Sequence, residues 1–272
     1  MQPLTKGKAT ICVVNYKTPD LIRLCLRSIR KFTHYPYEVI VVDNDSQDES
    51  LEYLRKVKWI KLEARTFGDE KVLGSDAEGS GLNIGLEQCN SEFYVVMHSD
   101  TIVKKDGWLT ELIKHFDAGE NVTCVGSGKI ESKPLFLRIT KKLTDFQSLK
   151  RKLFYNPKLH EQYRYHNRTI CCLYRTEVLR RENLSFLMGK ERSLTAGQGL
   201  YLEMLKRGLK TVELPTSVMG RYVVHLNHAT MVLNQDEFTL RRKTVKKYKH
   251  AVDEVMFSDI FQSILNDESL DQ

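Results

Sequence analysis

Within the first 125 residues, short apolar runs rich in β-branched side chains alternate four times with segments whose apolar positions recur every three or four residues. The runs lie at 10–14, 37–42, 59–62 and 93–97, and the helical patterns at 19–32, 46–56, 80–88 and 108–116. Parallel strands cannot be joined by a tight turn and need a crossover, which a helix supplies. The alternation therefore predicts an α/β fold, a Rossmann-like, mostly parallel central sheet with helices on both faces. In such sheets ligands collect beyond the carboxyl ends of the strands.

Local signals sharpen the boundaries. Thr18-Pro19-Asp20 offers an N-cap followed by proline in the first helical turn, and Leu21, Cys25, Ser28, Ile29 and Phe32 then share one helix face. Ser46 and Glu49 have capping-box spacing, which predicts that Ser46 starts the second helix. Residues 63–79 form a polar loop longer than a compact connection needs. Further on, a strand is expected at 169–174, a helix at 200–207 closed by Gly208, and short strands at 211–214 and 222–225.

Two segments break the alternation. Residues 133–168 carry ten basic and two acidic side chains among many aromatics, and read as an inserted segment. From residue 237, Phe238, Val245, Tyr248, Val252, Val255 and Ile260 predict an amphipathic helix with a basic first half. The expected organisation is thus a domain over 1–236 and a C-terminal helix and tail over 237–272.

With 41% hydrophobic and 28% charged residues, the composition excludes a disordered or collagenous chain. The six cysteines lack metal-binding spacing and read as buried thiols in a reducing compartment, so a cytoplasmic protein is expected. No apolar run is long enough for a bilayer span, and the first nine residues do not read as a signal peptide. A net charge of +7 favours an anionic partner. Nucleic acid ranks low because no reader module accompanies the charge. The basic cluster at 241–249 predicts at most peripheral contact with an anionic membrane, at its inner face.

Asn15, Asp43 and Asp100 each follow a predicted strand, so they converge on one crevice. Asp43 suits a ring N–H or a sugar hydroxyl there, and equally an Asx turn capping the next helix. Asp100 offers a hard oxygen donor for Mg²⁺ or Mn²⁺. His98, His225 and His228 are imidazoles near strand ends that could reach the same ion or a diphosphate. Ser80-Gly81-Leu82-Asn83-Ile84-Gly85 opens a helix where a phosphate or sugar could approach, although close helix–strand packing explains the glycines as well. Neither a dinucleotide fingerprint nor a phosphate loop is present.

The order of these motifs resembles the family 2 glycosyltransferases of the A-type (GT-A) fold. Ile11-Cys12-Val13-Val14-Asn15-Tyr16 is similar to that family's first strand, and Val41-Val42-Asp43-Asn44-Asp45-Ser46 to its second, whose aspartate contacts the base. Leu82-Asn83-Ile84-Gly85-Leu86 resembles its Asn-x-Gly helix start, and Met97-His98-Ser99-Asp100-Thr101 its metal-binding Asp-x-Asp region, with His98 in place of the first aspartate. The resemblance implies transfer of a sugar from a nucleoside diphosphate (UDP, GDP or dTDP) to a glycan or lipid-linked acceptor, assisted by Mn²⁺ or Mg²⁺. Val14, Asn15, Asp43, Gly81, Asn83, His98 and Ser99 would bind the nucleotide sugar, and Asp100, His225 and His228 the ion.

Inverting members of that family place an acidic base just before the helix that here ends at Gly208, but this stretch reads Thr195-Ala196-Gly197-Gln198-Gly199. An inverting transfer needs a base within reach of the acceptor hydroxyl. Glu191 and Glu203 are the nearest carboxylates; another base, a retaining mechanism and a catalytically impaired chain remain open. The rival readings are a non-catalytic nucleotide-sugar-binding protein and a nucleotidyltransferase, the latter disfavoured because no glycines follow the first strand.

Overall fold

The computed structural model describes residues 3–68, 72, 74–117, 122–128, 130 and 166–272. Most of the basic, aromatic insert expected at 133–168 lies outside them; only His166, Asn167 and Arg168 are described. The chain runs β1 (Thr5–Asn15), α1 (Pro19–Phe32), β2 (Tyr37–Asp43), α2 (Glu49–Leu54), β3 (Ile60–Ala64), α3 (Gly74–Gln88) and β4 (Ser91–His98). It continues through β5 (Thr101–Val103), α4 (Trp108–Ile113), β6 (Val122–Ser127), β7 (Cys171–Arg175), α5 (Thr176–Arg181) and α6 (Ala196–Lys206). The last elements are β8 (Lys210–Leu214), α7 (Thr216–Met219), β9 (Val223–His225), α8 (Ala229–Leu233), α9 (Arg242–Met256) and α10 (Asp259–Leu265).

Among the described residues, seven strands form one sheet in the order β3-β2-β1-β4-β7-β6-β8. All neighbours are parallel except β7, which is antiparallel to both β4 and β6. Alternate residues feed two cores: Ile11, Val13, Val41, Val95 and Met97 pack on one face with α1 and α4, and Cys12, Val42, Tyr94 and Val96 on the other with α3 and α6. The predicted sheet with both faces covered is therefore what forms. All six cysteines are buried and free.

Register fixes the height of the strand ends. Asn15 pairs with Asp43 across β1 and β2, and Val14 pairs with His98 across β1 and β4. A separate antiparallel ribbon joins β5 to β9 and sets Thr101 opposite His225. Helix α3 lies close on this sheet because glycines face it. A Cβ on Gly85 would fall 2.4 Å from Cys12 Sγ, and one on Gly81 3.1 Å from a Val14 methyl.

Several boundaries differ from expectation. Helix α2 is capped by Asp48, which accepts from Ser50 N, because the Ser46 hydroxyl is engaged with Asp43. Thr18 precedes α1 without a side-chain cap; its hydroxyl donates to Asn15 Oδ1 instead. Helix α3 starts at Gly74, well before Ser80, shortening the polar loop, and α6 starts at Ala196. The single amphipathic helix expected from residue 237 is two helices, α9 and α10. The residues after α10 dock on the domain: Asp271 accepts from Arg27 Nε at 3.0 Å and from Tyr53 OH at 2.8 Å, and Leu270 O from Trp59 Nε1 at 2.8 Å. Strands β5 and β6 are additions to the expected elements; β5 has only three residues, and the six of β6, Val122–Ser127, are buried on both faces and show no polar–apolar alternation.

Candidate active site

At the ends of β1 and β2 a polar cluster is fully enclosed. Asn15 Nδ2 donates to Asp43 Oδ1 at 2.7 Å and to Ser50 Oγ at 2.9 Å, and Asp43 also accepts from the Ser46 hydroxyl at 2.6 Å and from Ser46 N at 3.0 Å. Asn15 and Asp43 are both completely buried. Every donor and acceptor here is matched within the protein, so the cluster fixes the turn that comes after β2 and leaves neither side chain open to the crevice.

That turn lines a cavity of about 370 Å³ with Tyr16, Lys17, Asn44, Asp45, Phe67 and Glu237. Its walls come from distant parts of the chain. Glu237 accepts hydrogen bonds from the Tyr16 hydroxyl and the Lys17 ammonium, and Asn234 Nδ2 donates to Lys17 O at 2.9 Å. The hydrogen bond to Glu237 raises the Lys17 pKa, while burial and then the same carboxylate push the Tyr16 phenol up. Arg65 stacks on Phe67 and donates to Asn44 Oδ1 at 2.7 Å. Lys17, Asp45 and Gln47 around this cavity all hold positive φ, backbone that non-glycine residues adopt at a cost of about 1–3 kcal/mol and that concentrates at binding sites.

The second cluster sits where β4, β5 and β9 meet. His98, Asp100 and His225 each offer one ligand atom within 4.8 Å of the others. His225 Nε2 lies 3.1 Å and His98 Nδ1 3.7 Å from Asp100 Oδ1. That oxygen is buried and accepts no aligned hydrogen bond, and His225 Nδ1 is likewise buried without a partner. Burial acts to raise the Asp100 pKa, but His225 and His98 override it and hold the carboxyl at about 2. Burial opposes charge on His98, yet Glu78 and then Asp100 raise its pKa on balance.

An unsatisfied carboxylate oxygen flanked by two imidazoles is a donor set in search of a cation. Ligands held at about 2.1 Å from one ion lie roughly 3 Å apart; His225 Nε2 and Asp100 Oδ1 already stand at 3.1 Å, and His98 Nδ1, at 3.7 Å from that oxygen, would have to move closer. The residues present fit a divalent ion. The two clusters share one sheet edge: Thr18 Oγ1 is 3.0 Å from Asn15 Oδ1 and 3.3 Å from Ser99 Oγ, next to Asp100.

The other sequence candidates lie elsewhere. His228 is exposed, caps α8 and packs on the Tyr248 ring at 4.8 Å, outside the cluster. Asn83 ties α3 to the 185–186 segment, donating to Ser185 Oγ at 2.8 Å and accepting from Phe186 N at 2.9 Å. Gly81 packs on Val14 and Val42. Glu191 is exposed in a 3₁₀ turn, and Glu203 accepts from Arg207 Nε at 2.9 Å, one helical turn away on α6. Tyr16, Lys17, Phe67, Glu78 and Glu237 join the site without having been expected there. Only Tyr16 and Lys17, directly after a strand, carried a positional signal.

This Rossmann-like, mostly parallel sheet, with a cavity and a carboxylate–imidazole cluster along one carboxyl edge, is the architecture of the GT-A fold. The chain belongs to glycosyl transferase family 2, whose family profile matches residues 10–182. It is 24% identical over 251 residues to an uncharacterized glycosyltransferase of Haemophilus influenzae, covering 88% of this chain and 71% of that one. Among solved structures it is similar to the mannosyltransferase PcManGT from Pyrobaculum calidifontis in complex with GDP-Man and Mn²⁺, with a TM-score of 0.57, 17% identity and coverage of 97% of this chain and 76% of that one. TarS 1-349 of S. aureus in complex with UDP matches with a TM-score of 0.50 and 15% identity, covering 93% and 72%.

Proposed function

We propose that this glycosyltransferase moves a sugar from a nucleoside diphosphate donor to an acceptor hydroxyl, with a divalent cation held by Asp100, His225 and His98 at the donor diphosphate. The observation that carries this reading is the buried Asp100 Oδ1, flanked by two imidazoles yet accepting no aligned hydrogen bond, on the same sheet edge as the cavity. Transfer breaks the anomeric carbon–oxygen bond to the diphosphate and forms one to the acceptor oxygen, so negative charge collects on the departing group. A bound divalent cation supplies neutralisation of that charge. Tyr16, Lys17, Asn44 and Asp45 receive the nucleoside, and Asn15 and Asp43 hold their loop from beneath. Val14 and Gly81 set the floor by close packing, and Ser99 adjoins the cation. The complexes of the neighbours with GDP-Man and Mn²⁺ and with UDP support a nucleotide sugar and a cation here.

Among the described residues, no helix is long and apolar enough to cross a membrane. Phe257 and Ile260 are 76% and 66% exposed after the basic first half of α9, which supports a cytoplasmic enzyme meeting a lipid-linked acceptor at an anionic surface. The test is release of nucleoside diphosphate from a panel of UDP-, GDP- and dTDP-sugars, with free glycans or lipid-linked acceptors in anionic vesicles. Turnover of one donor, abolished by EDTA and restored by a divalent cation, is expected. Tight nucleotide-sugar binding with no release under any acceptor would instead establish a binding module.

A further inference from the structure

Glu78 lies in the second turn of α3, which approaches the sheet closely because Gly81 and Gly85 face it. That approach brings the Glu78 carboxylate to the end of β4, where Oε1 lies 3.0 Å from His98 Nε2. The Thr169 hydroxyl is also 3.0 Å from the same nitrogen. An ionised carboxylate only accepts hydrogen bonds, so it fixes the proton of a neutral His98 on Nε2. The lone pair is then on Nδ1, the nitrogen that faces Asp100. A carboxylate behind a histidine in this way orients the ring and raises its basicity toward a metal.

The chain thus offers nitrogen at His98, where the resemblance leads one to expect an oxygen, and a further nitrogen at His225 on β9. Mg²⁺ prefers an all-oxygen octahedron, whereas imidazole nitrogen suits transition-metal ions. We infer that Glu78 is the positioning residue that holds His98 as a nitrogen ligand, and that two imidazoles with one carboxylate make this site select a transition-metal divalent cation over Mg²⁺. The inference rests on the cation-assisted reading above and specifies which cation the site takes and which residue outside the ligand set secures it.

The experiment titrates the metal-free protein with Mn²⁺, followed by electron paramagnetic resonance of the free ion, with Mg²⁺ as competitor. Wild type is expected to bind Mn²⁺ at least about tenfold more tightly than Mg²⁺. Glu78→Ala should weaken Mn²⁺ by roughly 10- to 100-fold with little change for Mg²⁺, and Glu78→Asp should recover part of the loss. His98→Asp should shift the Mn²⁺/Mg²⁺ ratio toward Mg²⁺ and remove one nitrogen coupling from the electron spin echo of bound Mn²⁺. If Glu78→Ala does not fold, as judged by circular dichroism, Glu78→Gln replaces it, keeping the volume and losing the charge. Equal affinity of wild type for the two ions, or Mn²⁺ affinity indifferent to Glu78, overturns the inference. Asp100→Asn separates the two levels: if it leaves Mn²⁺ affinity unchanged, the cation reading itself fails, whereas loss of affinity with indifference to Glu78 sinks only the role given to that residue.

Discussion

The cluster at the ends of β1/β2 is wholly buried and the one at β4/β9 is buried at Asp100 and His225 but not at His98, and the two are differently completed. In the first, the polar atoms of Asn15, Asp43, Ser46 and Ser50 are all partnered, by one another and by Thr18, Lys17 and Asp48. In the second, Asp100 Oδ1 and His225 Nδ1 are buried with no aligned partner. An unmet polar atom in low dielectric is costly, and a fold retains it where something outside the chain completes it. Both aspartates come after strands and both carry a motif position, yet one has its oxygens taken up in holding a loop and the other keeps an oxygen with no aligned hydrogen bond.

The sharpest way to break this contrast is Asp100→Asn, which keeps the shape and removes the charge. Turnover of the nucleotide-sugar donor should fall by roughly 100- to 1000-fold, the scale of losing one electrostatic contact to developing charge. The melting temperature of the metal-free protein should move less than for Asp43→Asn. An unchanged kcat would show that the unsatisfied oxygen has no part in transfer.

Asp43→Asn tests the satisfied side. Its two oxygens accept from Asn15 Nδ2, Ser46 Oγ and Ser46 N, and an amide nitrogen in either place turns one N–H against another. The expected loss is about 2–3 kcal/mol, or roughly 5–10 °C in Tm, since a buried donor left unmet costs about 1–3 kcal/mol. Thermal melts that match wild type while nucleotide affinity collapses would reverse the assignment and make Asp43 a direct base contact.

The smallest effect concerns the wall joining the two regions, where Glu237 holds Tyr16 and Lys17. Glu237→Gln should weaken nucleoside diphosphate binding by about fivefold, equivalent to about 1 kcal/mol, with Tm nearly unchanged. Calorimetric titration of UDP and GDP reads this directly. An undiminished affinity would mean that this wall does not shape the cavity.

Much of the fold was legible because its signals are local. The apolar runs of β1, β2 and β4 and the three- and four-residue spacing of α1 are set by which side chains must leave water. Asp100 was legible as a candidate cation ligand for a similar reason, since a carboxylate just past a strand in an α/β sheet has few places to point. The capping-box spacing of Ser46 misleads because it competes with the pull of Asp43, and a buried carboxylate with two neighbouring donors wins. Asn83 reads as a donor-side residue and instead braces α3 against the 185–186 segment, a partner about a hundred positions away that no local pattern announces.

By itself the sequence determined the alternation of strand and helix, the two-faced core and the placing of Asn15, Asp43 and Asp100 at or just past strand ends, because these depend on side-chain period and on the reach of the backbone. Only the tertiary structure decided which of those carboxylates is spent inside the protein and which is left open. It also decided that Glu78 and Glu237 join the site, and that His225 reaches Asp100 where His228 does not. Those partnerships depend on distances across the sheet edge, fixed by register, by the glycines under α3 and by the β5–β9 ribbon.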